Sequence, residues 1–103
     1  MKVAIPSDDK IKISPSFKSC KGFLVYEIDD HSLVKFEYRI NQTDENTSDF
    51  NENIANILLD CNSVICNQIE KPIKESLKNN QKQILRTLET DAKKALMNLM
   101  CRI

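Results

Sequence analysis

Glycine is almost absent from this chain of 103 residues, which has one glycine, one histidine and no tryptophan. Loops that wrap a phosphate or a dinucleotide with bare backbone need several glycines, and the sequence contains neither a GxGxxG nor a GxxxxGK string. Because His31 is the single histidine, a histidine-based zinc site or a Ser-His-Asp triad would have to be built around that position. The scarcity of both residues argues against standard phosphate loops and histidine-centred chemistry.

An excess of charge is also missing, since 15 basic residues balance 15 acidic ones. A nucleic-acid clamp needs surplus Lys and Arg, and the longest apolar run, FLVY at 23–26, is too short to cross a bilayer. The start of the chain, MKVAIPSDDK, has no apolar signal core. We therefore expect a cytoplasmic protein that contacts neither nucleic acid nor membrane and whose four cysteines begin as thiols.

The length suits a single domain over residues 1–103 with one modest hydrophobic core and no disulfide scaffold. Five short apolar segments predict strands at 2–6, 23–28, 34–40, 63–66 and 83–86. The third alternates apolar and charged residues, as expected for a strand with one solvated face near the edge of a sheet.

Amphipathic periodicity predicts a first helix after the polar loop at 41–49. Asp49 and Glu52 have the spacing of a capping box. The apolar face of this helix would consist of Phe50, Ile54, Ile57, Leu58 and Cys61.

Two further helices are predicted between and after the last strands. The second begins near Pro72 and ends in a left-handed C-cap at Asn79–Asn80. The third is capped by Thr87. Its apolar stripe would consist of Leu88, Ala92, Ala95, Leu96, Leu99 and Ile103.

The order β-β-β-α-β-α-β-α predicts an α/β fold of three layers, with helices on both faces of one five-stranded mixed sheet. Right-handed crossovers then give the spatial order 3-2-1-4-5 with strand two antiparallel. In such a sheet ligands favour the crevice at the carboxyl ends of strands one and four, where the order reverses.

Three segments, KVAIPSDD, ISPSFKSCKGFLVYEID and DCNSVICNQIEKPIKESL, carry a family resemblance. In element order and motif position the chain resembles the dinitrogenase iron-molybdenum cofactor biosynthesis family, small domains with a ribonuclease H-like fold. The resemblance implies that fold, and it implies a role like that of members that carry or insert the nitrogenase cofactor or its precursor cluster.

The segment after strand one departs from the family pattern S-P-x-F-G. Ser14, Pro15 and Phe17 match it. Ser16 stands where the family often has histidine, and Lys18 replaces the glycine.

The turn after strand four departs as well. Where the family usually has G-I-G, this chain has Gln68, Ile69 and Glu70. The change removes a close approach of backbone to an anion, and it places a negative charge near the N-terminus of helix two.

The predicted topology brings two thiols toward the crevice. Cys20 lies just before strand two and Cys66 ends strand four, beside Ser7, Asp8 and Asn67. Thiolates from two loops could hold an iron-sulfur or iron-molybdenum cluster, a single metal ion or a redox disulfide. We take these five residues as the candidate cofactor site, with Cys20 and Cys66 as its metal ligands.

A simpler interpretation of the cysteines stays open. Free cysteine is commonly buried, so Cys66 could be a small core residue and Cys20 an incidental loop thiol. Cys61 falls on the apolar stripe of the first helix and Cys101 lies in the last helical turn, so both are interpreted as structural or incidental.

Three functional hypotheses follow from these features. The first is a non-catalytic binding or accessory protein that carries or helps to assemble a metallocluster and docks with a cluster-biosynthesis or redox protein. The second is an interaction or regulatory module of the same fold that binds no cofactor. The third, a metal-dependent hydrolase using Asp8 and Asp9, is disfavoured because strand four ends in Asn67 and Gln68 instead of carboxylates.

We expect a monomer or a weak homodimer, because strand three or five exposes an edge.

Overall fold

The computed structural model describes residues 1–17, 19–30, 32–41 and 50–101. The strands are β1 (Lys2–Ser7), β2 (Gly22–Asp29), β3 (Ser32–Ile40), β4 (Ser63–Cys66) and β5 (Gln83–Arg86), and the helices are α1 (Phe50–Ile57), α2 (Lys71–Asn79) and α3 (Ala92–Met100). No helix within these ranges has both the length and the apolar character that a membrane span requires.

All five strands form one sheet in the order β3-β2-β1-β4-β5. Strand β2 runs antiparallel to both β1 and β3, whereas β1, β4 and β5 are mutually parallel. The predicted α/β architecture, strand order and antiparallel strand are therefore confirmed.

The side chains of β1 alternate between two apolar cores, one on each face of the sheet. Ala4 belongs to the core that contains Leu58, beside α1, and Leu77 of α2. Val3 belongs to the opposite core, which contains Leu96 of α3. Because successive side chains of a strand point to opposite faces, this one strand joins both helical layers.

The single glycine is required by a close approach, not by its backbone angles. A Cβ atom on Gly22 would lie 2.5 Å from Cζ of the Tyr38 ring and 2.6 Å from the backbone oxygen of Arg39. The Tyr38 hydroxyl donates a hydrogen bond of 2.8 Å to the backbone oxygen of Ser7. Gly22 thus makes room for a side chain that links β3 to the end of β1.

The predicted start of the third helix is wrong. Asp91, not Thr87, is the N-cap, and its side chain accepts a hydrogen bond of 3.0 Å from the Lys94 amide. The Thr87 hydroxyl instead accepts from the Glu89 amide in a turn. The chain before the helix is held beside the loop after β1, since the Ile13 amide donates to the Thr90 oxygen. Leu88, predicted to be buried, is fully exposed.

The predicted C-cap of the second helix is also wrong. Asn80 has a φ of −94°, and the left-handed residue is Gln81, with a φ of 64°. The Asn80 amide still donates to backbone oxygens of the last turn, including that of Ser76. The helical hydrogen bonding therefore continues one residue further before the chain reverses.

The first helix agrees with its predicted apolar face where the structure describes it. Ile54, Leu58 and Cys61 are buried and Ile57 is partly buried. The helix itself ends at Ile57, and a turn carries the chain onward. The proposed Asp49 cap and the turn residue His31 lie outside the described residues.

Two of the three leucines of the predicted α3 stripe, Leu88 and Leu96, provide a matched test of the fold. We expect Leu96→Ala to lower the free energy of unfolding by about 2–5 kcal/mol, because it leaves a cavity in the core beneath α3. Leu88→Ala should change it by less than about 0.5 kcal/mol, because that side chain is fully exposed. Urea unfolding followed by circular dichroism measures both values, and equal losses would contradict the described start of α3.

Candidate functional site

The candidate site lies at one end of the strands, where β1 and β4 end and β2 begins. Ser7, the last residue of β1, lies opposite Gly22, and β1 runs parallel to β4. The Asp8 carboxylate accepts a hydrogen bond of 2.8 Å from the Lys21 amide, which holds the segment before β2 against the end of β1. Cys20 and Cys66 both belong to the apolar core on the α1 and α2 face of the sheet.

Both candidate thiols are buried beneath the crevice. Cys20 is 3% exposed and Cys66 is fully buried. Burial raises the pKa of Cys20 to about 12, with a further contribution from the charge of Asp8. Burial likewise raises the pKa of Cys66 to about 11, and the charge of Glu70 adds to this effect. At neutral pH both sulfurs are therefore protonated thiols, which agrees with the simpler interpretation of their burial.

The polar residues predicted beside the thiols hold the surrounding loops in place. The Ser7 hydroxyl donates a hydrogen bond of 2.6 Å to the Lys12 oxygen and accepts one of 2.9 Å from the Lys10 amide. The Asn67 side-chain amide donates to the backbone oxygens of Thr87 and Glu89, at 2.9 and 2.8 Å. Both side chains thus orient the loops that border the crevice.

A contact that the sequence did not predict bridges the crevice. The Ser16 hydroxyl donates a hydrogen bond of 3.3 Å to Oε1 of Glu70, and the Ser19 hydroxyl donates one of 2.8 Å to Ser16. The second carboxylate oxygen of Glu70, Oε2, is buried and has no hydrogen-bond partner in the described part of the chain. The only signal in the sequence was that Ser16 and Glu70 each depart from the family pattern.

Of the remaining cysteines, Cys61 belongs to the same buried core as Cys20 and Cys66, and Cys101 is on the surface. Cys61 is buried near Asp60 and Arg39, and Cys101 is exposed after α3. All four cysteines are free thiols. Among residues 1–17, 19–30, 32–41 and 50–101, no three His, Cys, Asp or Glu side chains are grouped closely enough to hold a metal ion. The crevice therefore offers two soft donors and no complete set of ligands.

A small cleft of about 190 Å³ opens beside the ends of β4 and β5. It is lined by Asn67, Arg86, Thr87 and Leu88. Larger grooves lie elsewhere, one of about 590 Å³ between α1 and α2 and one of about 470 Å³ between β5 and α3. Of the five residues of the candidate site, Asn67 alone lines this small cleft.

Neutralising Glu70 should change the titration of Cys66. We expect Glu70→Gln to lower the pKa of the Cys66 thiol, because a negative charge that opposes thiolate formation is removed. The pH profile of alkylation at Cys66, followed by peptide mass spectrometry, should shift to lower pH. Glu75→Gln is the matched control, since it neutralises an exposed carboxylate within α2, the helix that Glu70 precedes. Equal profiles for the two variants would contradict the described position of Glu70.

The fold is shared with several solved proteins. A crystal structure described as that of a candidate dinitrogenase from Methanocaldococcus jannaschii is 28% identical, with a TM-score of 0.73 over 99% of this chain and 89% of that one. The apo orange protein of Desulfovibrio gigas is 16% identical, with a TM-score of 0.80 over 98% and 88%. A protein from Thermotoga described as a candidate NifB protein is 16% identical, with a TM-score of 0.71 over 95% and 85%.

The sequence itself matches one family over nearly its whole length. No protein of curated function matches the chain. The family model described as "Dinitrogenase iron-molybdenum cofactor" matches residues 1–100. With the strand order and the crevice described above, this match shows that the chain belongs to the dinitrogenase iron-molybdenum cofactor family.

Proposed function

We propose that this protein is an accessory protein of metallocluster maturation that holds its cargo at the crevice and performs no catalysis of its own. The observation that carries the proposal is that Cys20, just before β2, and Cys66, the last residue of β4, lie at the end of the sheet where ligands bind in open α/β folds and belong to the same buried core. Ser7, Asp8 and Asn67 complete the proposed site by fixing its loops.

The two thiols limit the cargo to metal species that bind sulfur. Sulfur ligands suit iron-sulfur and related clusters, which are usually held by four thiolates. Two thiols can anchor a cluster that brings its own sulfide, while further ligands come from the protein that delivers or receives it. The proposal therefore includes a partner protein of the cluster-biosynthesis or redox class. Leu88, fully exposed beside Asn67 and Thr87, is an apolar contact available to that partner.

A second candidate function is an interaction module that binds no cluster. The hydrogen bond between Ser16 and Glu70 favours it, because it closes the crevice with the protein's own side chains. Burial of both thiols points the same way, because each must lose a proton and become accessible before it can bind a metal. The two functions differ in one measurable property, the formation of a thiolate-held cluster.

Anaerobic reconstitution with iron and sulfide separates the two functions. For the carrier we expect a sulfide-to-iron charge-transfer absorption that the Cys20→Ser, Cys66→Ser double variant loses. Cys101→Ser is the matched control, because it removes an exposed thiol outside the crevice. The wild type gaining no absorption would favour the interaction module, and absorption that survives the double substitution would remove these cysteines from the site.

Binding of a soft metal should strengthen as the pH rises. The pKa values of about 12 for Cys20 and about 11 for Cys66 mean that metal binding must displace a proton from each thiol. Below these pKa values the thiolate fraction of each group rises about tenfold per pH unit. Cadmium titrations followed by thiolate charge-transfer absorption should therefore show higher affinity at about pH 9 than at about pH 7. Affinity that is independent of pH would contradict binding through these two thiols.

A further inference from the structure

Strand β3 presents an apolar edge. It is the longest strand, with nine residues, and it stands at the end of the sheet beside β2. Val34, Phe36 and Ile40 are each more than half exposed, and Leu33 is 44% exposed. The opposite edge strand, β5, has only four residues. A long apolar edge offers backbone hydrogen-bonding groups to another strand, and native proteins usually protect such edges.

The hydrogen-bond pattern shows which residues of β3 face outward. The Asn41 amide donates to the Lys21 oxygen directly opposite, which continues the register of β2 and β3. Because hydrogen-bonded and non-bonded pairs alternate in an antiparallel ladder, the backbone groups of Phe36 and Tyr38 point away from β2. A bulge lies in β3 at Val34, which has no partner in β2 because Ile28 pairs with Leu33 and Glu27 with Lys35, so β3 is regular from Lys35 to Ile40.

We propose that β3 pairs antiparallel with β3 of a second copy of this chain, around a two-fold axis at Phe36. The two sheets then form one continuous sheet of ten strands. Phe36 lies opposite the partner's Phe36, and their outward backbone groups form a hydrogen-bonded pair. On the other face of the sheet, Lys35 lies opposite the partner's Glu37, and the symmetry repeats this pair of opposite charges.

The charges on β3 favour a two-fold axis at Phe36 over one at a neighbouring residue. An axis at Glu37 would place two Glu37 side chains opposite each other, and an axis at Lys35 would do the same with two lysines. An axis at Tyr38 would place Glu37 opposite the partner's Arg39. Arg39, however, already donates two hydrogen bonds, of 2.6 and 2.8 Å, to the Asp60 carboxylate, and a third of 2.8 Å to Oε1 of Glu37 on its own strand. In the pairing at Phe36, Oε2 of Glu37 is then the oxygen that would accept from the partner's Lys35.

The apolar face supports the same axis. Phe36 stacks on Tyr26 of β2, with ring centroids 5.7 Å apart and an interplanar angle of 22°. In the dimer this stack would continue through the partner's Phe36 to the partner's Tyr26. Four aromatic rings would then form one row across the interface, and the exposed face of Phe36 would be removed from water. This surface uses no residue of the crevice, so the proposal is independent of cluster binding.

Charge reversal with complementation tests the dimer and its axis together. Sedimentation velocity of the wild type over a wide concentration range should show a dimer that dissociates on dilution. Lys35→Glu and Glu37→Lys should each weaken the dimer about tenfold, because each converts both symmetric charge pairs into repulsions. An equimolar mixture of the two variants should recover the wild-type affinity, because the heterodimer restores attraction in both pairs.

Substitutions elsewhere on the surface, and one at Phe36 itself, serve as controls for the dimer test. Glu75→Lys on α2 and Lys93→Glu on α3 reverse exposed charges elsewhere and should leave the dimer unchanged. Phe36→Lys should give a monomer whose circular dichroism matches the wild type, because the side chain is 60% exposed. A wild type that stays monomeric at all concentrations would overturn the proposal. Failure of the mixture to recover affinity would overturn the axis at Phe36.

Discussion

Strand β1 is paired along both edges and covered on both faces, and the positions of the other elements depend on this arrangement. Its antiparallel partner β2 leads to β3 and the outer edge, while its parallel partner β4 leads to β5. Its alternating side chains join the core beneath α1 and α2 to the core beneath α3. The crevice exists because the chain connections leave in opposite directions from the ends of β1 and β4. A charge in place of Ala4 would therefore disturb the core beneath α1 and α2, and one in place of Val3 the core beneath α3.

The sequence predicted the features that depend on local pattern and on general rules of topology. Short apolar segments located β4 and β5 at their observed bounds, and the crossover rule gave the strand order. The start of α3 was missed because Leu88 has the spacing of a helical stripe, whereas distant contacts from Asn67 and Ile13 hold its surroundings in a turn. The bridge between Ser16 and Glu70 joins residues 54 positions apart, so no local pattern could show it.

The scarcity of glycine has a structural counterpart at the crevice. The left-handed backbone positions in the described residues are Lys10, Asp30 and Gln81, and the one glycine serves the close approach of Tyr38. Side chains therefore border the crevice where glycine loops would expose bare backbone amides. A bound anion would meet the carboxylate of Glu70 near the N-terminus of α2. In the proposed function, recognition of cargo would consequently depend on sulfur and on displacement of the Glu70 contact, more than on backbone hydrogen bonds.

The proposed dimer and the proposed crevice use different parts of the sheet, and symmetry determines how they combine. A two-fold axis between antiparallel β3 strands reverses the strand direction from one copy to the other. The crevices of the two copies, each at the carboxyl ends of β1 and β4, would therefore lie at opposite ends of the strands in the ten-stranded sheet. Two strands, β2 and β3, separate each crevice from the axis. A partner protein could then reach Leu88 and the crevice of each copy without contacting the other, so self-association and exchange of cargo need not compete.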